Sequence, residues 1–386
     1  MTPSAQAACH VCGGAALQLL PAYAALRRVT SDCKPWPAGG RLATCPACSC
    51  AQAVLDPAWH DQSRRIYEDY TIYHQAKGAE QSVFDPRTGQ PGTRSARLLQ
   101  RWHAEMPLPA GGRLVDIGCG NGALLRAFSA MFPGWSLAGV EVNDHCKSIV
   151  ESIPRVERLH TCGASEVPGE FDAITLLHAL EHIPSPREFL VSLRPKLAMG
   201  GLLLVQVPDC GQNPFMFLVA DHASHCFVPP LRELVESAGF EVIVAAPDWV
   251  AKEITIVARK SGAGPRPMRA TGDLTPAVLG QLEWLTALAK DTRALAAAGP
   301  LGIFGTSIAA TWLQGELGGR AAFFVDEDPS RPGQSFMGRT ILRPADAPAG
   351  CRVMLALPAA QAADVRARLN RQYPAVDFRL PPAAPA

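Results

Sequence analysis

Val115-Asp116-Ile117-Gly118-Cys119-Gly120-Asn121-Gly122 is the stretch on which the reading of this chain turns. The run Arg113-Leu114-Val115-Asp116-Ile117 suits a buried strand, and the glycines after it end the strand abruptly. Residues 123–131 then read as a helix. Glycine lets a backbone approach a ligand closely, and this loop falls at the carboxyl end of a strand, where α/β sheets bind. The spacing is G-x-G-x-G, not the G-x-G-x-x-G of a dinucleotide fold. The next strand, Ser136-Leu137-Ala138-Gly139-Val140-Glu141-Val142, carries Glu141 near its end. A carboxylate there can accept both hydroxyls of a ribose. Asp116 ahead of the glycines would repel a phosphate but attract an ammonium group.

Working outward, Phe171-Asp172-Ala173-Ile174-Thr175-Leu176-Leu177 reads as a strand leading into His178-Ala179-Leu180-Glu181-His182-Ile183-Pro184. Residues 200–208 read as a turn and another strand. Short β-rich runs alternating with helical stretches predict a parallel sheet with crossover helices. Ser261-Gly262-Ala263-Gly264-Pro265-Arg266-Pro267 is linker-like, residues 275–298 are helical, and residues 301–369 form a second strand–helix–strand unit. The expected division is a cysteine-rich module (1–60), a Tyr-rich connector (61–94), the first α/β domain (95–260), a linker (261–274) and a second α/β domain (275–380). The Pro/Ala-rich tail, 381–386, is expected to be disordered.

Of 386 residues, 48% are hydrophobic and 18% charged, which excludes general disorder. Lys plus Arg number 36 against 35 Asp plus Glu, so the chain lacks the broad basic field of a non-specific nucleic-acid or membrane-surface binder. The opening Met1-Thr2-Pro3-Ser4-Ala5-Gln6 has no secretory character, and no apolar run approaches the roughly 20 residues of a membrane span. A cytoplasmic protein with reduced thiols is expected. Six of its twelve cysteines lie in the first 50 residues. Cys9-His10-Val11-Cys12 and Cys45-Pro46-Ala47-Cys48 form two C-x-x-C knuckles, together a closed four-thiolate set for structural Zn²⁺. Unligated or redox cysteines are the alternative, and Cys33 and Cys50 are spare thiols that compete for a place in the set.

The eight-residue loop motif with Glu141 resembles the cofactor loop of class I S-adenosylmethionine-dependent methyltransferases. That resemblance implies that Asp116 faces the methionine ammonium, that Gly118, Cys119, Gly120, Asn121 and Gly122 wrap the donor, and that Glu141 holds its ribose. Where many relatives place an acidic residue against the adenine, this chain has Gly163-Ala164-Ser165-Glu166. Tyr70 and Tyr73, ahead of the first strand, are candidates for a cover over the donor, with core packing as the alternative.

The order of parts resembles the three-part sugar C-methyltransferase family, whose members methylate a keto-sugar on a nucleoside diphosphate. The implied fold is α/β: a Rossmann-like, mostly parallel seven-stranded sheet, with an N-terminal four-cysteine zinc-ribbon-like module and a C-terminal Rossmann-like domain. In that family a histidine at the place of His182 and a Tyr-x-Glu-His element assist proton chemistry. Here the element reads Val219-Ala220-Asp221-His222, so the tyrosine is lost and Asp221 replaces the glutamate. His182, His222 and Asp221 are the acid/base candidates, and a small polar acceptor, a nucleotide sugar methylated at carbon or oxygen, is the implied substrate. His178 and His225 lie nearby. Each histidine has a structural alternative, and His222 with His225 has the i, i+3 spacing of a metal pair.

Two other classes compete. Gly302-x-x-Gly305 followed by Asp326 suggests an NAD(P)-dependent oxidoreductase, although the loop lacks the third glycine. A zinc-ribbon RNA methyltransferase or adaptor would need a basic stripe, which the balanced charge does not supply.

Overall fold

The computed structural model describes residues 8–14, 16–70, 80, 82–84 and 91–385. Tyr73 lies outside them. In the N-terminal part, β1 (Gln18–Leu19), β2 (Arg28–Val29), β3 (Pro35–Trp36), β4 (Leu42–Thr44) and β5 (Ala51–Ala53) are all short. β1, β4 and β5 pair antiparallel, and β2 with β3 makes a separate ribbon. Helix α1 (Pro57–Glu68) starts where Asp56 accepts a hydrogen bond from the Trp59 amide at 2.8 Å, and it buries Trp59 and Ile66. The pair β6 (Ser82–Phe84) and β7 (Pro91–Thr93) leads into α2 (Arg94–Glu105), which buries Leu98, Leu99 and Trp102.

The central sheet contains β8 (Gly112–Ile117), β9 (Trp135–Val140), β10 (Val156–His160), β11 (Phe171–Leu177) and β12 (Leu197–Pro208), connected through α3 (Ala123–Met131), α4 (Lys147–Glu151) and α5 (Pro186–Leu193). After β12 come β13 (Ser224–His225), α6 (Val228–Ser237), β14 (Phe240–Ala246) and β15 (Glu253–Lys260). Strand order is β10-β9-β8-β11-β12-β15-β14, and only β15 runs antiparallel to its neighbours. The chain leaves β8 in one direction to β9 and β10 and returns on its other side at β11. That reversal opens a crevice at the carboxyl ends of β8 and β11, the place where such sheets take ligands. The expected α/β fold, with its mostly parallel seven-stranded sheet, is what the chain adopts.

After the segment 261–274, α7 (Thr275–Ala297) precedes a second sheet. It is built from β16 (Leu301–Phe304), β17 (Phe323–Val325), β18 (Ser335–Phe336), β19 (Arg339–Leu342), β20 (Arg352–Leu355) and β21 (Asp377–Arg379), with α8 (Ile308–Glu316) and α9 (Ala359–Gln372). Its order is β18-β19-β17-β16-β20-β21, parallel apart from the β18–β19 pair. No helix among the described residues is long and apolar enough to cross a membrane.

The three parts share more than linkers. β13 belongs in sequence to the central part, yet it pairs antiparallel with β5 as the fourth strand of the N-terminal sheet. Around it, Ala53 N–H donates to Ala223 O at 2.9 Å, Ala220 N–H to Val29 O at 2.8 Å, and the Tyr23 hydroxyl to Phe217 O at 2.6 Å. One apolar core joins Leu20, Tyr23 and Val29 to Phe215 and Phe217 and to Leu285 and Trp312 of α7 and α8. Burial of such side chains is worth roughly 1.5–3 kcal/mol each, so this seam is a major contributor to holding the parts together.

Candidate active site

Three glycines shape the turn after β8: Gly118, Gly120 and Gly122 have φ of +72°, +56° and +78°. A side chain at Gly118 would also press on Ala179 at 2.9 Å, and one at Gly122 on Ile153 at 2.5 Å. The bend carries the backbone to Glu141, whose Oε1 accepts from Gly120 N–H at 2.6 Å while Oε2 accepts from Val142 N–H at 3.1 Å. Asp116 sits opposite Thr175 in the β8–β11 register, and the Thr175 hydroxyl donates to Asp116 Oδ1 at 2.7 Å. Burial pushes the Asp116 carboxyl up to about 7, against the pull of that hydrogen bond and with a further push from Glu141. An arriving ammonium would reverse the effect. Gly118, Cys119, Asp116 and Glu141 face the cavity described below, whereas Gly120, Asn121 and Gly122 form the turn behind them.

The second constellation follows β11. His178 stands four residues before His182, a spacing that in a helix would put both on one face, but no helix forms there. His178 has φ of +51°, its N–H donates to Gln206 O at 2.9 Å, and Leu180–His182 is a single 3₁₀ turn. His182 Nδ1 lies 3.1 Å from the Asp221 carbonyl oxygen and 3.4 Å from Asp221 Oδ2. Both partners are acceptors, so Nδ1 carries the proton and Nε2 is left with its lone pair. Asp221 is fully buried and is itself held by Ser31, whose N–H donates to Oδ1 at 2.9 Å and whose hydroxyl donates to Oδ2 at 2.5 Å. The His222 ring packs edge-on to His182 with centroids 4.8 Å apart. Burial, and then the neighbouring His182, His225 and His178, hold His222 well below the usual imidazole range. Thus His182, Asp221 and His222 come together, with Asp221 behind the other two.

His225 does not join them. It lies in β13 against the N-terminal sheet, and burial pushes it down to about 3. Its ring centroid lies 6.0 Å from that of His222, but it is outside the group of donor atoms formed by Glu181, His182 and His222. Val219, at the place of the lost tyrosine, is buried and bridges to Val29, so it packs the seam between the parts. Ser165 is exposed, and the wall near it is formed by Cys162, Gly163 and Ala164.

Ser31, Asp116, Gly118, Glu141, His182 and His222 line one cavity of about 1140 Å³. It runs from Asp116 and Glu141 past His182 and His222 to Ser307 and Arg368 of the C-terminal sheet. Tyr70 lines it, as does Tyr67, whose ring centroid is 6.3 Å from that of His182. Sequence reading missed Tyr67, Ser31 and Glu181 as site residues. Tyr67 stands in the same aromatic patch as Tyr70 and carried that signal, whereas nothing local marks Ser31, which reaches Asp221 across 190 positions. Glu181 is 1% exposed, and His178 bridges it to Glu253, with Nδ1 3.4 Å from Glu181 Oε1 and Nε2 3.3 Å from Glu253 Oε2. Burial would raise the Glu181 carboxyl, but His178 and His182 outweigh it and leave it lowered.

Residues 92–245 match the family described as "Methyltransferase domain". The chain is 31% identical over 115 residues to the trans-aconitate 2-methyltransferase of Paracidovorax citrulli, covering 29% of this chain and 44% of that one. It is 28% identical over 130 residues to the ubiquinone biosynthesis O-methyltransferase of Pseudomonas aeruginosa, covering 32% and 55%. It thus spans about half the length of the curated relatives it matches. Among solved structures, an S-adenosylmethionine-dependent methyltransferase from Clostridium acetobutylicum aligns at 12% identity with a TM-score of 0.36, over 53% of this chain and 97% of that one.

The matched residues include the glycine turn, Glu141, His182, Asp221 and His222, but Ser31 and Tyr67 precede them. So does the cysteine cluster. Cys9, Cys12, Cys45 and Cys48 bring their Sγ atoms within 4.8 Å of one another, with Cys9–Cys48 and Cys12–Cys45 both at 3.7 Å. A tetrahedral zinc with Zn–S near 2.3 Å sets sulfurs about 3.8 Å apart, so the four thiols fit that ion. Gln52 Nε2 donates to Cys9 Sγ at 2.9 Å, and the amides of Cys12 and Gly14 point at Cys9 and Cys12 Sγ at 3.4 Å, which favours thiolates. Cys50 and Cys33 are outside the cluster, and burial pushes the Cys33 thiol up to about 12.

Proposed function

We propose that this chain is an S-adenosylmethionine-dependent methyltransferase whose acceptor is a small polar, anionic metabolite of the nucleotide-linked keto-sugar class. The reading is carried by one observation: a single cavity of about 1140 Å³ joins the glycine turn to the histidine cluster and to the C-terminal sheet. Single-ligand pockets span roughly 300–1,000 Å³, so this space suits a donor together with a sizeable acceptor. Arg94, Lys252 and Arg368 lie on its wall beside carboxylates, Arg94 paired with Glu253 and Arg368 with Glu327, so a phosphate there would have to compete with those pairs.

The donor, when bound, supplies a methyl group on a sulfonium. Toward it, Asp116 offers a carboxylate for the ammonium, Gly118 and Cys119 a close backbone, and Glu141 an acceptor for the ribose. Toward the acceptor, His182 has its Nδ1 proton committed to Asp221, which leaves Nε2 to take the proton of a hydroxyl or of a carbon beside a carbonyl. His222 is the neutral partner beside it, and Tyr67 and Tyr70 cover the opening. Val219 offers no phenol, and Tyr67, whose ring packs edge-on to His182, is the candidate in its stead. The cysteine cluster would hold a structural Zn²⁺ that stiffens the module carrying Ser31. On the C-terminal sheet, Asp326 is committed to Thr306 and Asp328, which speaks against a dinucleotide ribose there.

The test is a panel of nucleotide sugars offered with isotope-labelled donor, read by product mass and by NMR at the labelled methyl. Transfer to a sugar carbon or oxygen supports the reading. A chain that binds the donor but methylates none of the panel overturns the acceptor class, and one that binds no donor overturns the whole.

A further inference from the structure

We propose that Glu181, His182 and His222 form a second metal site, open to the cavity, for a divalent cation of the zinc class. Among the described residues, only two groups of potential ligands bring three or more donor atoms within 4.8 Å of one another: the four cysteines and this set. The two differ in chemistry. Four thiolates close a tetrahedron, whereas two imidazoles and one carboxylate are the donor set of zinc sites that keep a position open.

Glu181 is the observation that asks for an ion. It is 1% exposed, it lines the cavity, and neither of its carboxylate oxygens meets hydrogen-bond geometry, although His178 Nδ1 stands 3.4 Å from Oε1. A buried carboxylate without hydrogen bonds is rare in a folded protein. The supports around it are those of a ligand set. Because His182 Nδ1 is turned to Asp221, Nε2 is the atom left for a ligand, and the Ser31–Asp221–His182 chain is the outer shell that fixes a metal-bound imidazole. His222 stands edge-on to that ring. Zinc–ligand distances near 2.0–2.2 Å would draw the three donors together by roughly an ångström. The groups packed around the site are His178, Glu253, Tyr67 and His225, and the rival explanation of Glu181 is a plain ion pair with a protonated His178.

With an ion bound, the His182 Nε2 lone pair is taken by the metal and no longer serves as the base described above; the ion's charge instead favours the deprotonated form of an acceptor oxygen, whose proton leaves to solvent. Metal binding itself does not depend on the methyl-transfer reading.

The full chain, loaded with Zn²⁺ and desalted, should carry two equivalents of metal. Reconstituted with Co²⁺, it should show both thiolate charge-transfer bands and a separate set of weak nitrogen/oxygen-type d–d bands. Glu181→Gln, which keeps the side-chain shape, and His222→Ala should each fall to one equivalent, losing the second set while retaining the thiolate bands and the far-UV circular dichroism. One equivalent in the unaltered chain, with thiolate bands alone, overturns the proposal and leaves the His178 ion pair. So does a second equivalent that survives in Glu181→Gln. Donor binding measured by calorimetry on the same samples reports the methyl-transfer reading separately.

Discussion

After β8 the chain bends through Gly118, Gly120 and Gly122, all at positive φ; after β16 it bends through Gly305 alone, at +91°. Both bends lead into a helix, both are followed by a parallel strand, and both of those strands run on to a carboxylate, Glu141 in one case and Asp326 in the other. The carboxylates differ in what they do. Glu141 binds only backbone amides and lines the donor end of the cavity. Asp326 accepts the Thr306 hydroxyl at 2.6 Å and the Asp328 amide at 2.9 Å, and burial raises it. On the proposed reading the first unit serves the donor at one end of the cavity, and the second, whose Asp326 is held by a side-chain hydroxyl as well as by an amide, serves as a wall at the other.

The sharpest way to break that contrast is Gly118→Val. A branched side chain at φ +72°, pressed on Ala179, should raise the donor Kd by more than about a hundredfold in calorimetry. Next, Glu141→Ala removes a charge-assisted acceptor and should weaken the donor by about tenfold to a hundredfold, while Asp326→Asn leaves its Kd within about twofold. Equal losses in both variants would erase the distinction between the two turns. His182→Ala and His222→Ala should each lower turnover by more than about tenfold while the donor Kd holds, because these residues face the acceptor. A pH series gives a smaller effect. Burial pushes the Asp116 carboxyl up to about 7, and only its anion attracts an ammonium, so donor affinity should rise with pH through about 7 until the donor's own amino group begins to lose its proton. Thr175→Val, which removes the hydrogen bond that lowers Asp116, should move that rise to higher pH. Ser31→Ala should be mildest, a few-fold in kcat, since the backbone amide of Ser31 still holds Asp221.

The donor end of the site was legible in the sequence because it is local. Strand, glycines and Glu141 fall within about thirty positions, and each residue type has a backbone reason to be where it is. The central and C-terminal strands were legible as apolar runs bounded by turns. The acceptor end was only half visible. Asp221 and His222 could be named, but not the Ser31 hydrogen bonds that fix Asp221, because they come from another part of the chain. The turn at His178 carries no signal either: a non-glycine residue at positive φ is imposed by the bond to Gln206 and the packing around it, so the i, i+4 reading of His178 and His182 as one helical face fails. β13 is only two residues long, and its pairing with β5 spans more than 170 positions, beyond the reach of any periodicity.

That short pairing has a practical side. A fragment trimmed to residues 92–245 would retain every residue of the donor turn, yet it would leave Ser224 and His225 as a bare edge and strip Asp221 of its only bonds from Ser31. Grafting a foreign head onto this domain would succeed only if the new head presented a matching edge to those two residues. The smallest piece that can be excised with its chemistry intact is consequently larger than the piece that family resemblance picks out.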